Sequence, residues 1–172
     1  MARLPYADPA NPELAGQVAR IRAERGGKLL NLYAMLLNSP ALADGWRQLL
    51  TAIRQQCLLP ARQRELAILR IAVINRADYE FAQHVPFALN EGVTQAQLDG
   101  LKTAEWREHF DALDALVIDY TDAMTRDIRV PQDIFDALRK HFTDREVVEL
   151  TATVAAYNMV SRFLEALQLD HD

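Results

Sequence analysis

The segment Leu66 to Ile74 reads Leu-Ala-Ile-Leu-Arg-Ile-Ala-Val-Ile, apolar on every side except at Arg70. Such a run has no polar face to give to water, so it must be covered all round. A buried strand and a buried helix share this pattern. The run continues a segment that opens at Pro60 and breaks at Asn75-Arg76. That length and the proline start predict a helix, since strands are usually shorter. A central helix needs other helices around it, and the remaining sequence supplies them.

Helix starts recur along the chain. Asn11-Pro12-Glu13 offers a cap, a proline for the first helical position and an acid after it; Gly26-Gly27 should end that helix. Leu29 to Asn38 predicts a short apolar helix. Ser39-Pro40 opens another, to about Cys57, with Leu42, Trp46, Leu49, Leu50 and Ile53 on one face. Asp78 is expected to cap a helix that runs through Leu89 and ends at Gly92. Thr94 to Gln97 forms a capping box for a short helix. A long helix is predicted from about Glu108 to Thr125, another from Val130-Pro131 to about Phe142. Thr143 to Glu146 is a second capping box, opening a last helix to about Leu167. No strand alternation or internal repeat interrupts this order. The prediction is an all-α chain of seven to nine helices.

Composition narrows the function classes. Nineteen Lys and Arg against 24 Asp and Glu give a net charge of −5. That balance argues against nucleic acid, which calls for a basic stripe, and against a polybasic membrane surface. One cysteine, Cys57, excludes an intramolecular disulfide and a thiolate zinc finger. No apolar run approaches the ~20 residues that span a bilayer, and the first residues lack the apolar core of a signal peptide. A cytoplasmic protein is expected, with no metal and no cofactor.

The chemistry-bearing residues cluster between 64 and 88. Glu80 and His84 are four apart, on one helix face. The helix N-terminus disfavours imidazolium and the carboxylate favours it, so the pair is expected to titrate near neutral pH, as a general acid or base should. Pro86 removes the hydrogen-bond partner of the Ala82 carbonyl and predicts a kink one turn past His84. Phe81, Val85 and Phe87 are expected to pack the helix closely. Glu65 falls on the face of Ile68, Leu69 and Ala72: either a partly buried carboxylate that needs a partner, or a first-turn residue exposed beside Arg62 and Arg64. Arg70 and Arg76 could hold a substrate carboxylate, although Arg70 could equally pair with an internal acid. Tyr157 and Asn158 could line a pocket or cross a subunit interface. Cys57 reads as a small buried hydrophobe, and His109, His141 and His171 as surface residues.

These residues resemble the carboxymuconolactone decarboxylase superfamily, which includes the alkylhydroperoxidase D-like proteins. The peroxidase branch has Glu-x11-Cys-x2-Cys-x3-His. Here Glu65 and His84 stand at the glutamate and histidine places, while Ala77 and Glu80 stand where the cysteines would be. The text around Tyr79-Glu80-Phe81 is similar to the cysteine-free, decarboxylase-like branch. The resemblance covers roughly residues 30–165. It implies an alkylhydroperoxidase D-like helical domain over residues 29–170, preceded by an arm and first helix over 1–28. It implies a homo-oligomer, trimer or hexamer, acting on a small-molecule substrate. It implies a lyase-type acid–base reaction with His84, Glu80 and Glu65 as the catalytic set, and Arg70, Arg76, Tyr157 and Asn158 as substrate-binding candidates. Dithiol peroxidase chemistry is not expected, because a thiolate needs a sulfur that Ala77 lacks. Two other readings are a peroxidase-related protein without a working cysteine pair and a non-catalytic small-molecule-binding oligomer.

Overall fold

The computed structural model describes the whole chain, Met1–Asp172, as helices and connecting turns with no strand. Nine α-helices and two short 3-10 turns form two compact units: residues 1–56 with 164–172, and residues 57–163.

The first unit holds α1 (Ala15–Glu24), α2 (Asn31–Leu36) and α3 (Pro40–Gln55). Asn11 accepts a hydrogen bond from the Glu13 N–H, as its capping position predicts, but the first turn it opens, Pro12–Leu14, is 3-10 and α1 follows it. The chain leaves α1 through Gly26 and Gly27, both at positive φ (62° and 83°), where a side chain would be strained. α2 is shorter than expected and buries every residue from Leu32 to Leu36. α3 buries Ala43, Trp46, Leu50 and Ile53, while Leu42 and Leu49 are exposed. The buried stripe is therefore turned by one residue from the predicted face, with the small Ala43 taking the place given to Leu42. Arg47 on α3 joins it to α1 through Glu24 and is held by Asp44 one turn back on its own helix. In the same unit Asp170 accepts the terminal ammonium at 3.0 Å and the Ala2 N–H at 3.1 Å.

The second unit holds α4 (Ala61–Asn75), α5 (Asp78–Asn90), α6 (Gln95–Gly100), α7 (Ala112–Arg126), α8 (Gln132–Leu138) and most of α9 (Asp144–Leu167). α4 is the predicted central helix and packs against α5 and α7. Leu66, Ala67, Ile68, Leu69 and Ile71 are wholly buried. Each large aliphatic side chain removed from water this way contributes about 1.5–3 kcal/mol. Leu66 and Leu69 share a core with Ala88, Val93, Leu98, Leu101 and Ile118; Phe81 and Val85 pack on its edge. Phe87 is about half exposed, so the expected close packing holds for two of the three residues.

Local signals account for most boundaries. The Thr94 capping box is present in full, with Gln97 N–H on Oγ1 and Thr94 N–H on Gln97 Oε1. Thr143 and Glu146 make the same reciprocal pair. α5 begins one residue earlier than expected: Ala77 occupies the cap and Asp78 lies inside the first turn, where its charge meets the positive end of the helix dipole. The helix continues through Pro86 to Asn90. The long helix predicted from Glu108 starts instead at Ala112. Trp106–His109 forms a 3-10 turn, Phe110 is extended, and Asp111 caps α7 by accepting from the Asp114 N–H. Between α4 and α5 the chain reverses in two residues. Arg76 adopts the left-handed conformation (φ 56°, ψ 38°), and the Ala77 N–H returns to the Ala72 carbonyl at 2.9 Å. No helix is long and apolar enough to cross a membrane.

Candidate active site

The α4–α5 reversal sets Glu65, near the start of α4, beside His84 on the second turn of α5. His84 Nδ1 lies 2.7 Å from Glu65 Oε2. Glu65 is 2% exposed and His84 is 6% exposed, which decides between the two readings of Glu65: it is a buried carboxylate with a partner. Removing a carboxylate from water costs several kcal/mol unless donors replace the solvent. His84 supplies one donor, and Arg64 approaches the other carboxylate oxygen with Nε at 3.3 Å. A carboxylate that accepts from Nδ1–H fixes the ring's orientation and makes Nε2 the basic nitrogen. Tyr157 from α9 stands edge-on to the imidazole, its centroid 5.0 Å away at 87°, and Phe87 lies 5.9 Å away on another side. The imidazole is thus held by one carboxylate and walled by two aromatic rings.

Glu80, one turn before His84 on α5, is also buried. Its Oε1 lies 3.0 Å from Ser161 Oγ on α9, and the same hydroxyl lies 3.0 Å from the Tyr157 carbonyl. Ser161 was not anticipated from sequence. Its spacing, four residues after Tyr157, places both on one stripe of α9 and is the signal that could have found it.

The remaining candidates divide. Arg70 is an internal ion-pair residue. Its Nε and Nη2 hold the two oxygens of Asp122 on α7 at 2.6 Å each, Nη1 donates to the Leu101 carbonyl at 2.8 Å, and the guanidinium lies 5.2 Å from the Trp106 ring centroid. Arg76 is exposed at the α4–α5 turn. Asn158 donates to Thr125 Oγ1 at 2.9 Å and accepts from Asn75 at 3.0 Å, tying α9 to α7 and α4. Sequence gave no hint of Asp114, which is buried on α7 and paired with Arg62 at 2.7 Å and Gln63 at 3.1 Å.

Cys57 is half-buried. Burial pushes its thiol above the ordinary range, and the Glu149 carboxylate adds to that against the pull of Arg64 and Arg145. A thiol so placed is a weak nucleophile at neutral pH. His109, His141 and His171 are exposed, as their sequence context predicts. No set of three or more His, Cys, Asp or Glu side chains is arranged to hold a metal ion.

Comparison with known proteins bears on this geometry. The sequence profile of the carboxymuconolactone decarboxylase family matches residues 40–116, a span that includes Glu65, Glu80 and His84. No curated protein matches the chain. Among solved structures, an uncharacterised peroxidase-related protein from Silicibacter sp. TM1040 superposes with a TM-score of 0.83 at 19% identity, covering 99% of this chain and 90% of its own. An alkylhydroperoxidase AhpD core protein from Ralstonia eutropha JMP134, also peroxidase-related, gives 0.82 at 16% identity over 99% and 92%. The debrominase Bmp8, as a cysteine-to-alanine variant with bound 2,3,4-tribromopyrrole, gives 0.79 at 14% identity over 100% and 94%. At these identities the likeness is one of fold, and the fold is the alkylhydroperoxidase D-like one.

Proposed function

We propose that this chain, a member of the carboxymuconolactone decarboxylase family through residues 40–116, catalyses an acid–base reaction of decarboxylase or lactone type on a small carboxylated substrate. The buried Glu65–His84 hydrogen bond at 2.7 Å carries the reading. An imidazole oriented by a carboxylate is a general acid–base group suited to neutral pH.

In a decarboxylation the bond between carbon and the carboxylate breaks, carbon dioxide leaves, and the electron pair moves into the conjugated lactone. His84, as imidazolium, delivers a proton to carbon from Nε2. Glu65 keeps the ring in place through Nδ1 and stabilises its charged form. A proton from solvent restores the imidazolium. Glu80 orients the α5 face that carries His84, and Tyr157 forms a wall beside the ring. Of the two arginines, Arg76 is the one whose guanidinium is exposed, and the substrate carboxylate is assigned to it.

The alternative, a peroxidase-related protein, needs a sulfur nucleophile. Cys57 is the one cysteine, and burial holds its thiol form. Turnover of γ-carboxymuconolactone, followed by its ultraviolet absorbance, tests the proposal with His84→Ala beside the wild type. General acid–base catalysis contributes about 10²–10⁴ in rate, so a fall of ~10²-fold or more is expected. A wild type without turnover removes this lactone as substrate. A ligand that binds the His84→Ala variant as tightly as the wild type, with no turnover in either, favours a binding protein.

A further inference from the structure

Arg64 differs from other mostly buried arginines of this chain in what it meets. The Arg70 side chain is 6% exposed and takes both oxygens of Asp122 at 2.6 Å. Arg47, at 14%, has Glu24 on one nitrogen and Asp44 at 2.9 Å on another. Arg62, at 26%, holds Asp114 with two nitrogens at 2.7 and 3.0 Å. Arg64 is 13% exposed, yet only its Nε meets an acid, Glu65 Oε1 at 3.3 Å. Its Nη1 and Nη2 have no acceptor within the protein. Even that one acid is shared, since the other oxygen of Glu65 lies 2.7 Å from His84 Nδ1. A second carboxylate nearby, Glu149, acts with Arg64 on the Cys57 thiol. It is engaged elsewhere, by Arg145 at 2.8 Å and by the N–H groups of Leu58 and Leu59 at 2.7 and 2.8 Å. A charge drawn this far from water with its outer edge unmatched is costly unless an anion completes it. A guanidinium carries five donors in a planar fork, and the fork fits a carboxylate through two parallel hydrogen bonds.

We propose that Arg64 is an anion-binding residue of this site, its Nη1–Nη2 edge taking a carboxylate of the bound ligand while Nε stays on Glu65. The guanidinium and the imidazole sit on the two oxygens of one carboxylate. The ligand's anionic end is thereby held beside the group that delivers the proton. That consequence rests on the acid–base reading above; the binding of a carboxylate does not. Arg76 lies past the far end of α4, about 16 Å along the axis from Glu65 at 1.5 Å per residue, so the two guanidinium groups are separate contacts.

The test is a titration of the full-length protein with acetate at constant ionic strength, followed by nuclear magnetic resonance of the Arg64 Nε–H and the His84 ring. Acetamide, the neutral counterpart, is the control. Both signals are expected to shift and saturate with acetate and to stay unmoved with acetamide. Arg64→Ala should weaken acetate binding, read at His84, by about tenfold or more, the scale of charge-assisted hydrogen bonds. Arg64→Lys, a point charge without the fork, should fall between the two. A wild type whose signals do not saturate overturns the proposal, as does binding that survives Arg64→Ala and is lost in Arg76→Ala. Should Arg64→Ala fail to fold, the wild-type titration and Arg64→Lys still decide. An Arg64 needed only to hold Glu65 would move the His84 signal in the acetate-free variant and leave the wild type unresponsive to acetate, which also overturns the proposal. No substrate is used, so a wild type without lactone turnover leaves an acetate-binding Arg64 intact. An active enzyme indifferent to acetate keeps the acid–base reading and defeats this inference.

Discussion

Arg70 and Glu65 lie little more than one turn apart on α4, both buried, and their partners give them opposite characters. Arg70 is clamped by both oxygens of Asp122 and by the Leu101 carbonyl. A guanidinium does not release its proton, so this pair is a fixed link between α4 and α7. Glu65 meets an imidazole, a group that, unlike a guanidinium, can give up a proton and take it back. One helix thus carries a charge pair that can only hold and another that can exchange. Burial, which is similar for both, does not separate them; under the proposed acid–base reading the chemistry of the partner does.

Breaking the holding pair should have the largest effect on stability. Arg70→Ala takes the bidentate partner from Asp122, which is partly exposed and keeps Arg126 at 3.8 Å; a half-removed buried pair typically costs about 3–5 kcal/mol, and the loss here should fall at the lower end of that range. Denaturant titration should show that loss, and the double replacement Arg70→Met with Asp122→Leu should recover most of it. An equal loss in the double variant would mean that the ion pair itself, rather than a stranded charge, stabilises the unit.

Breaking the exchanging pair should show mainly in rate. Glu65→Gln keeps the shape and one acceptor but removes the counter-charge to imidazolium. Turnover should fall by about 10²-fold, with a smaller loss of stability than Arg70→Ala. A reversed ranking, with Glu65→Gln folding poorly and still active when folded, would make Glu65 another holding residue.

Glu149 offers a milder contrast. Burial pushes its carboxyl up, but Arg145 and the N–H groups of Leu59 and Leu58 bring it below the ordinary carboxylate range. Its stabilisation is therefore present above the ordinary range and is lost as pH falls through the lower folded value. Melting temperatures of wild type and Glu149→Gln should differ near neutral pH and converge in acid. The smallest effect is expected at Cys57: Cys57→Ser should leave turnover unchanged, and alkylation of the wild-type thiol should stay slow until pH rises above the ordinary thiol range.

The legible parts of this chain were the local ones. Capping boxes at Thr94 and Thr143, the proline starts and the all-apolar run of α4 each rest on a few adjacent residues, and each is present in the structure. One failure was a local cap passed over, and the others occurred where a distant element decided. Periodicity drew α7 back to Glu108, but the extended Phe110 and the Asp111 cap start it later. Leu42 and Leu49 fit an apolar stripe by spacing, yet Ala43 is the residue turned inward. Glu65 could be read as exposed or buried until α5 returned His84 to it. Ser161 was illegible because a serine within a helix says little until the glutamate it faces, 81 residues away, is known.

The two-residue link Arg76-Ala77 has a geometric consequence for how this site can change. A residue added there and wound into the first turn of α5 would turn the side chains that follow it by about 100° about the helix axis, since a helix has 3.6 residues per turn. Both helices would survive, but His84 would swing away from Glu65. Side chains around the imidazole can vary one at a time, whereas the length of this link works as a gear setting: a single tooth of slip disengages the pair without damaging either wheel.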